Sequence, residues 1–142
     1  MVDLASFATV YSKNKDGALQ LTPNFTVKEF ACKDGSDPVC VNFLCACVCQ
    51  IVRNWFGQPF SPNSAYRTVA YNATPSVGGA SRSNHIYGNA VDIPARGCTP
   101  KQLYDFLDKL LGNSCELILY TWGCHVGIQN TKKRMTDRSY KG

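Results

Sequence analysis

Hydrophobic residues along this chain follow two rhythms, one of 3.6 residues and one of two, and each predicts its own set of elements. In "PVCVNFLCACVCQIVRNWFGQPF" apolar side chains recur at Val41, Leu44, Cys45, Val48, Ile51, Val52 and Trp55. That is the stripe of an amphipathic helix, stopped by Gly57 and Pro59. "TPKQLYDFLDKLLGN" predicts a second helix, with Thr99 as N-cap, Pro100 in the first turn and Gly112 at the end. A shorter helical turn is expected in "LTPNFTVKEFACKDG", where Thr26 and Glu29 have the spacing of a capping box ahead of Phe30. The two-residue rhythm comes later. "GNAVDIPA" alternates as a strand, with Ala90 and Asp92 on one face and Val91 and Ile93 on the other. "CELILY" and "CHVGIQ" are strand-like runs around "TWG", which predicts an antiparallel hairpin. "FSPNSAYRT" reads as an extended segment and "VAYNATPSVGGASRSNH", rich in Ser, Gly, Asn and Pro, as loop. Helices that precede and interrupt a few late strands argue for an α+β fold, a small antiparallel sheet with helices packed on it.

A length of 142 residues suits one domain over 1–142, with residues 1–22 as an N-terminal extension and 129–142 as a basic tail. Composition excludes a disordered, collagen-like or coiled-coil chain, being 44% hydrophobic and 18% charged. No apolar run approaches the ~20 residues of a membrane helix. The N-terminus lacks a basic segment followed by an apolar core, so no signal peptide is expected. The net charge of +5 is mild, and its cluster in "TKKRMTDRSYKG" reads either as a solvated terminus or as a weak preference for polyanions. A monomer without a nucleic-acid partner is expected.

Eight cysteines leave three readings open: buried free thiols acting as small hydrophobes, a few disulfides, or a cysteine metal site. The run "CACVC" favours the first. Alternate residues on a helix point about 200° apart, and C-x-C-x-C is not zinc-ligand spacing, which is usually C-x₂₋₄-C.

His85 and His125 are the only histidines. Asp92 stands inside a strand between apolar neighbours, where a carboxylate is disfavoured unless something pairs with it. One zinc ion would provide that pairing, with two imidazoles and one carboxylate as ligands and a fourth position open. Gly88 would let the chain turn close to the metal after His85. Residue type alone also allows an ordinary loop running into a strand.

"SNHIYGNAVD" fits S-x-H-x-x-G-x-A-x-D at every fixed position, through Ser83, His85, Gly88, Ala90 and Asp92. In this it resembles the zinc D-alanyl-D-alanine carboxypeptidase and L-alanyl-D-glutamate endopeptidase family, whose fold is shared with the Hedgehog signalling domain. "NFTVKEFACKDG", "SAYRT…YN…VGGASRSNH" and "CHVGI" are similar to further family segments, so the likeness runs from about Asn24 to Ile128. The resemblance implies His85, Asp92 and His125 as ligands of one zinc ion. It implies that Arg67 binds a carboxylate of the substrate peptide or polarises its scissile carbonyl, the alternatives being a surface arginine or an internal ion pair. It implies that Ser83 hydrogen-bonds substrate, the alternative being a serine that caps its own backbone. Tyr87, at a variable position of the signature, reads either as lining the cleft or as packing, the second being favoured.

The pattern breaks at the general base. Many relatives carry an acid three residues before the last histidine, where this chain has Trp122. Others place one near Tyr120, or two residues after the histidine, where Gly127 stands. Glu116 is the only carboxylate in the hairpin and is the candidate catalytic base, the alternative being a surface charge at a strand start. Asp137 lies in the tail with nothing to position it. The resemblance therefore implies a zinc-dependent peptidase that hydrolyses peptidoglycan stem or cross-link peptides. The alternatives are a catalytically impaired zinc-containing peptidoglycan-binding or structural module, or a disulfide-stabilised domain without zinc. Cytoplasmic synthesis followed by release to the cell wall, by lysis or as part of a phage, is the corresponding expectation for localisation.

Overall fold

The computed structural model describes residues 1–142. In chain order its elements are β1 (Ala8–Ser12), the single turn α1 (Lys13–Asp16), β2 (Gln20–Thr22), β3 (Phe25–Thr26), β4 (Pro38–Asn42), α2 (Phe43–Phe56), the single turn α3 (Val69–Asn72), β5 (Ala90–Pro94), α4 (Pro100–Leu111), β6 (Glu116–Leu119), β7 (Gly123–Gly127) and β8 (Lys133–Thr136). Short 3-10 turns stand at Leu4–Phe7, Val27–Phe30 and Asn84–Tyr87. The fold is α+β, as the element order implied.

The main sheet has the order β5-β7-β6-β8. β5 and β6 flank β7 antiparallel, so the hairpin around "TWG" forms as expected. β8 adds to β6 in parallel, which makes the sheet mixed. α4 packs on β6 and β7. Its Leu103 and Leu107 are fully buried in one core with Val91, Ile93, Leu117, Leu119, Cys124 and Val126. Each such leucine contributes about 1.5–3 kcal/mol by leaving water. Thr99 and Gln102 cap the helix reciprocally, and the Thr26–Glu29 box caps the 3-10 turn that seats buried Phe30. α2 packs against β2, β3, β4 and β5.

The long helix begins later than its apolar stripe suggested. Pro38–Asn42 is a strand paired with β1, and Val39 and Val41 are its two buried valines. Val41 fits both rhythms, and the two-residue one wins because β1 is there to pair with it. Asn42 then caps the helix, its Oδ1 accepting from Leu44 N at 2.8 Å. Farther along the stripe, Ile51 and Trp55 are exposed, and Trp55 stacks on Phe106 of α4 at 5.2 Å. The extension and the tail are both built into the fold. Residues 8–12 and 20–22 form β1 and β2, and 133–136 form β8. Arg134 clips the tail down by bonding Asp108 and the carbonyls of Gly112, Ser114 and Cys115. The loop reading of 69–85 is likewise interrupted, by α3 with Thr68 as its cap and by the 3-10 turn with Ser83 as its cap. All eight cysteines are free thiols.

Candidate metal centre

Strand alternation decides which side chains share the face opposite α4. Asp92 pairs with His125 across β5 and β7, and His125 with Ile118 across β7 and β6. Ile118 in turn faces Met135 of β8. Two residues away lies a parallel row of Ala90, Gly127, Glu116 and Lys133. From these rows Asp92, His125, Ile118, Met135, Glu116 and Lys133 line a cavity of about 740 Å³ whose walls also include Arg67, Arg82, Ser83, His85, Tyr120 and Trp122.

The third ligand candidate arrives from the loop. Ser83 Oγ accepts from His85 N at 3.2 Å, which starts the 3-10 turn that carries His85 over the sheet. Gly88 ends that turn with φ of 72°. A Cβ there would lie 2.4 Å from the Cys40 carbonyl oxygen, so the glycine is required by the close approach of β4 and not by a metal. Segment 61–67 runs beside β5, bridged at Ser64 and Asp92, and brings the Ala65 carbonyl to the His85 ring.

His85, Asp92 and His125 are all buried, and one donor atom from each lies within 4.8 Å of the other two. His85 Nδ1 donates to Ala65 O at 2.6 Å, since a carbonyl can only accept. Nε2 of that ring is left 3.3 Å from Asp92 Oδ1. His125 Nδ1 is 3.0 Å from the same oxygen, and its Nε2 is 2.6 Å from Glu116 Oε1. Ligands held at zinc distances in a tetrahedron stand about 3.3 Å apart. The two nitrogen-to-Asp92 separations therefore suit a zinc ion, as does the donor set.

Charge follows the same contacts. Burial works against ionisation of Asp92, yet bonds from His125 and His85 outweigh it and hold the carboxyl well below its usual range. Burial also opposes the His125 imidazolium, but its bonds to Asp92 and Glu116 carry the pKa up to about 9. The bond from His125, against the cost of burial and with help from Lys133, brings Glu116 down to about 2.

Arg67, Ser83, His85, Asp92, Glu116 and His125 all line the one cavity. Arg67 donates to Ser64 Oγ at 3.0 Å and Asn72 Oδ1 at 3.3 Å, with Asp92 Oδ2 at 3.5 Å. Three of its five N–H donors are engaged in this way, which leaves two without a partner in the protein. Ser83 caps its own backbone, and its hydroxyl proton remains free. Glu116 touches the outer nitrogen of His125. Asp137 stays out of the cavity, bonded to Ser139 N and Oγ. Tyr87 is exposed and lies outside the cavity, so it does not pack. Lys133, Gln129 and Met135 join the wall from a tail that read as solvated, because a four-residue edge strand of mostly polar residues carries almost no periodic signal. Tyr120 and Trp122 stack at 4.9 Å to form another wall.

The family model described as Peptidase M15 matches residues 21–126, well over half of the chain. The chain belongs to the peptidase M15 family. No curated protein and no solved structure gave a match. M15 peptidases are zinc-dependent, and His85, Asp92 and His125 form a possible metal site in this member. Membership supports a metallopeptidase that acts on peptides. No helix of this M15 chain is long and apolar enough to cross a membrane.

Proposed function

We propose that the protein is a zinc-dependent peptidase that hydrolyses peptidoglycan stem or cross-link peptides, with one zinc ion held by His85, Asp92 and His125. The convergence of these three side chains beneath the cavity carries the reading. Zinc supplies Lewis-acid polarisation of a carbonyl and activation of water at neutral pH. The chain's own contribution is positioning. Arg67 has two N–H groups free for a peptide carboxylate or the scissile carbonyl, and its planar fork is steadied by Ser64 and Asn72. Ser83 offers a hydroxyl proton from the cavity wall. Arg67, Arg82 and Lys133 outnumber the carboxylates Asp92 and Glu116, both already bonded to imidazole, so the cavity favours an anionic peptide such as a stem peptide. The substrate then lies in the cell wall, reached by lysis or as part of a phage, and the protein acts as a monomer.

A second reading, a zinc-containing module that binds peptidoglycan without cutting it, is favoured by one observation. Asp92 and Glu116 are the only carboxylates lining the cavity, and neither is free to take a proton from water. Digestion of purified peptidoglycan by zinc-loaded protein, with Asp92→Ala as control, separates the two. Release of new amino termini by the wild type alone supports the peptidase; retained binding without cleavage supports the module. A mass-spectrometric count of zinc in protein purified without added metal tests both, since a metal-free chain indifferent to chelators fits neither.

A further inference from the structure

We propose that Glu116 is a positioning residue of the metal centre: its carboxylate takes the Nε2–H of His125 and so keeps Nδ1 of that ring turned to Asp92 and His85. The inference rests on the reading of His85, Asp92 and His125 as metal ligands. It gives Glu116 a part different from that of a base facing the reacting water.

Three features of the fold converge on this carboxylate. Glu116 Oε1 lies 2.6 Å from His125 Nε2, on the opposite side of the ring from Asp92. Its other oxygen, Oε2, is 3.2 Å from Lys133 Nζ, directly across from it in the β6–β8 register, while Asn84 Nδ2 stands 3.5 Å from Oε1. The side chain is therefore held from β7, from β8 and from the turn that carries His85. Lys133 lies beyond the residues that match the family, so this seat is a feature of the chain's own tail.

Gly127 adds the space that these contacts require. It is the β7 partner of Glu116, and His125 lies two residues along the same face. A Cβ at Gly127 would stand 2.8 Å from Glu116 Oε1, 3.1 Å from Glu116 Cβ and 2.6 Å from Asn84 Nδ2. Carbon atoms do not approach polar atoms that closely without displacing them. The missing side chain is thus the space through which Glu116 crosses the strand to reach the imidazole.

The chemical consequence follows from the two tautomers of a neutral imidazole. A ligating nitrogen must offer a lone pair, so the proton has to sit on the other nitrogen. An acceptor on Nε2 fixes it there, and an anionic acceptor also makes Nδ1 a stronger donor to metal. Without Glu116, the Nδ1–H tautomer, which cannot ligate, becomes competitive, because Asp92 would accept its proton.

Zinc affinity measured by competition with a chromophoric chelator tests this on the full chain. Glu116→Ala is expected to bind zinc about 10–100-fold more weakly than wild type, the usual cost of losing such a partner. Glu116→Gln, whose amide oxygen can still accept from Nε2–H, should recover part of the loss. Gly127→Ala, which keeps the carboxylate but pushes it aside, should lose affinity as well. Nitrogen-15 and proton NMR of the zinc-loaded protein should show the Nε2–H of His125 strongly downfield-shifted by its carboxylate acceptor and moved upfield in Glu116→Gln, a change that a merely structural glutamate would not produce. The proposal is overturned if Glu116→Ala stays within about twofold of wild type while His85→Ala loses zinc. It is equally overturned if Nε2 of His125 carries no proton. Unchanged affinity in His85→Ala would instead bring down the metal-centre reading and this inference with it. Should Glu116→Ala fail to fold, the zinc affinity of Glu116→Gln and the shift of the His125 Nε2–H signal between it and wild type decide the matter, and an unshifted signal overturns the proposal.

Discussion

Asp92→Asn isolates the charge of the carboxylate on which both histidines converge. The replacement keeps size and shape, and an amide oxygen can still accept a hydrogen bond from His125. What it loses is the anion, and a neutral amide is a poorer zinc ligand than a carboxylate. A tenfold loss of affinity, about 1.4 kcal/mol, is the minimum expected. The metal-free variant will also be less stable. Asp92 faces a protonated His125 at 3.0 Å and Arg67 at 3.5 Å, and both then lose a counter-charge in a buried setting. Comparing melting temperatures of wild type and variant alone would mix these two effects, so the quantity to read is the rise in Tm that zinc produces in each protein. At a fixed free zinc concentration well above both dissociation constants, a tenfold weaker site loses about 1.4 kcal/mol of ligand-linked stability. For a chain of this size that is about 3–6 °C less zinc-induced stabilisation. Differential scanning calorimetry in a zinc-buffered solution, with a chelator-treated reference for each protein, resolves such a difference. An equal zinc-induced rise in wild type and Asp92→Asn would remove Asp92 from the ligand set and, with it, the reason a carboxylate stands inside β5.

Other consequences can be checked independently. Arg134→Ala should cost about 2–4 kcal/mol in urea unfolding, since the guanidinium holds Asp108 and the carbonyls of Gly112, Ser114 and Cys115 together and leaves them exposed or unpartnered when removed. Leu107→Ala, emptying a fully buried position of α4, should cost about 2–5 kcal/mol in the same assay; a loss under 1 kcal/mol would mean that α4 does not seal this face. Burial pushes the Cys45 and Cys49 thiols up, and that of Cys124 to about 12, so these three should resist alkylation of the native protein at pH 8 and react only as the pH rises or the chain unfolds. Mass spectrometry of the alkylated protein counts them, and rapid native labelling of Cys49 would show that α2 is not packed as described.

Much of this site is local in character, and that part was legible in the chain. The alternation of "GNAVDIPA" placed Asp92 on the face opposite Val91 and Ile93, and the capping residues Thr26 and Thr99 announced the turns that follow them. These are properties of a few neighbouring residues, and the backbone hydrogen bonds they satisfy are made within the same stretch. The strand at Pro38–Asn42 escaped because its valines also fit the helical stripe, and nothing near it in sequence reveals β1, thirty residues earlier in the register. β8 escaped because an edge strand of Lys, Arg, Met and Thr has no buried face to betray it.

The sequence by itself determined which residues could serve as donors and which face of each strand they would occupy, because side-chain direction is set by the backbone every second residue. Only the tertiary structure decided who meets whom. Register puts His125 beside Asp92, Gly127 opposite Glu116, and Lys133 on the far side of that glutamate. Those pairings are settled by strand partners far apart along the chain, and a slip of one residue would have turned every one of these groups to the opposite face.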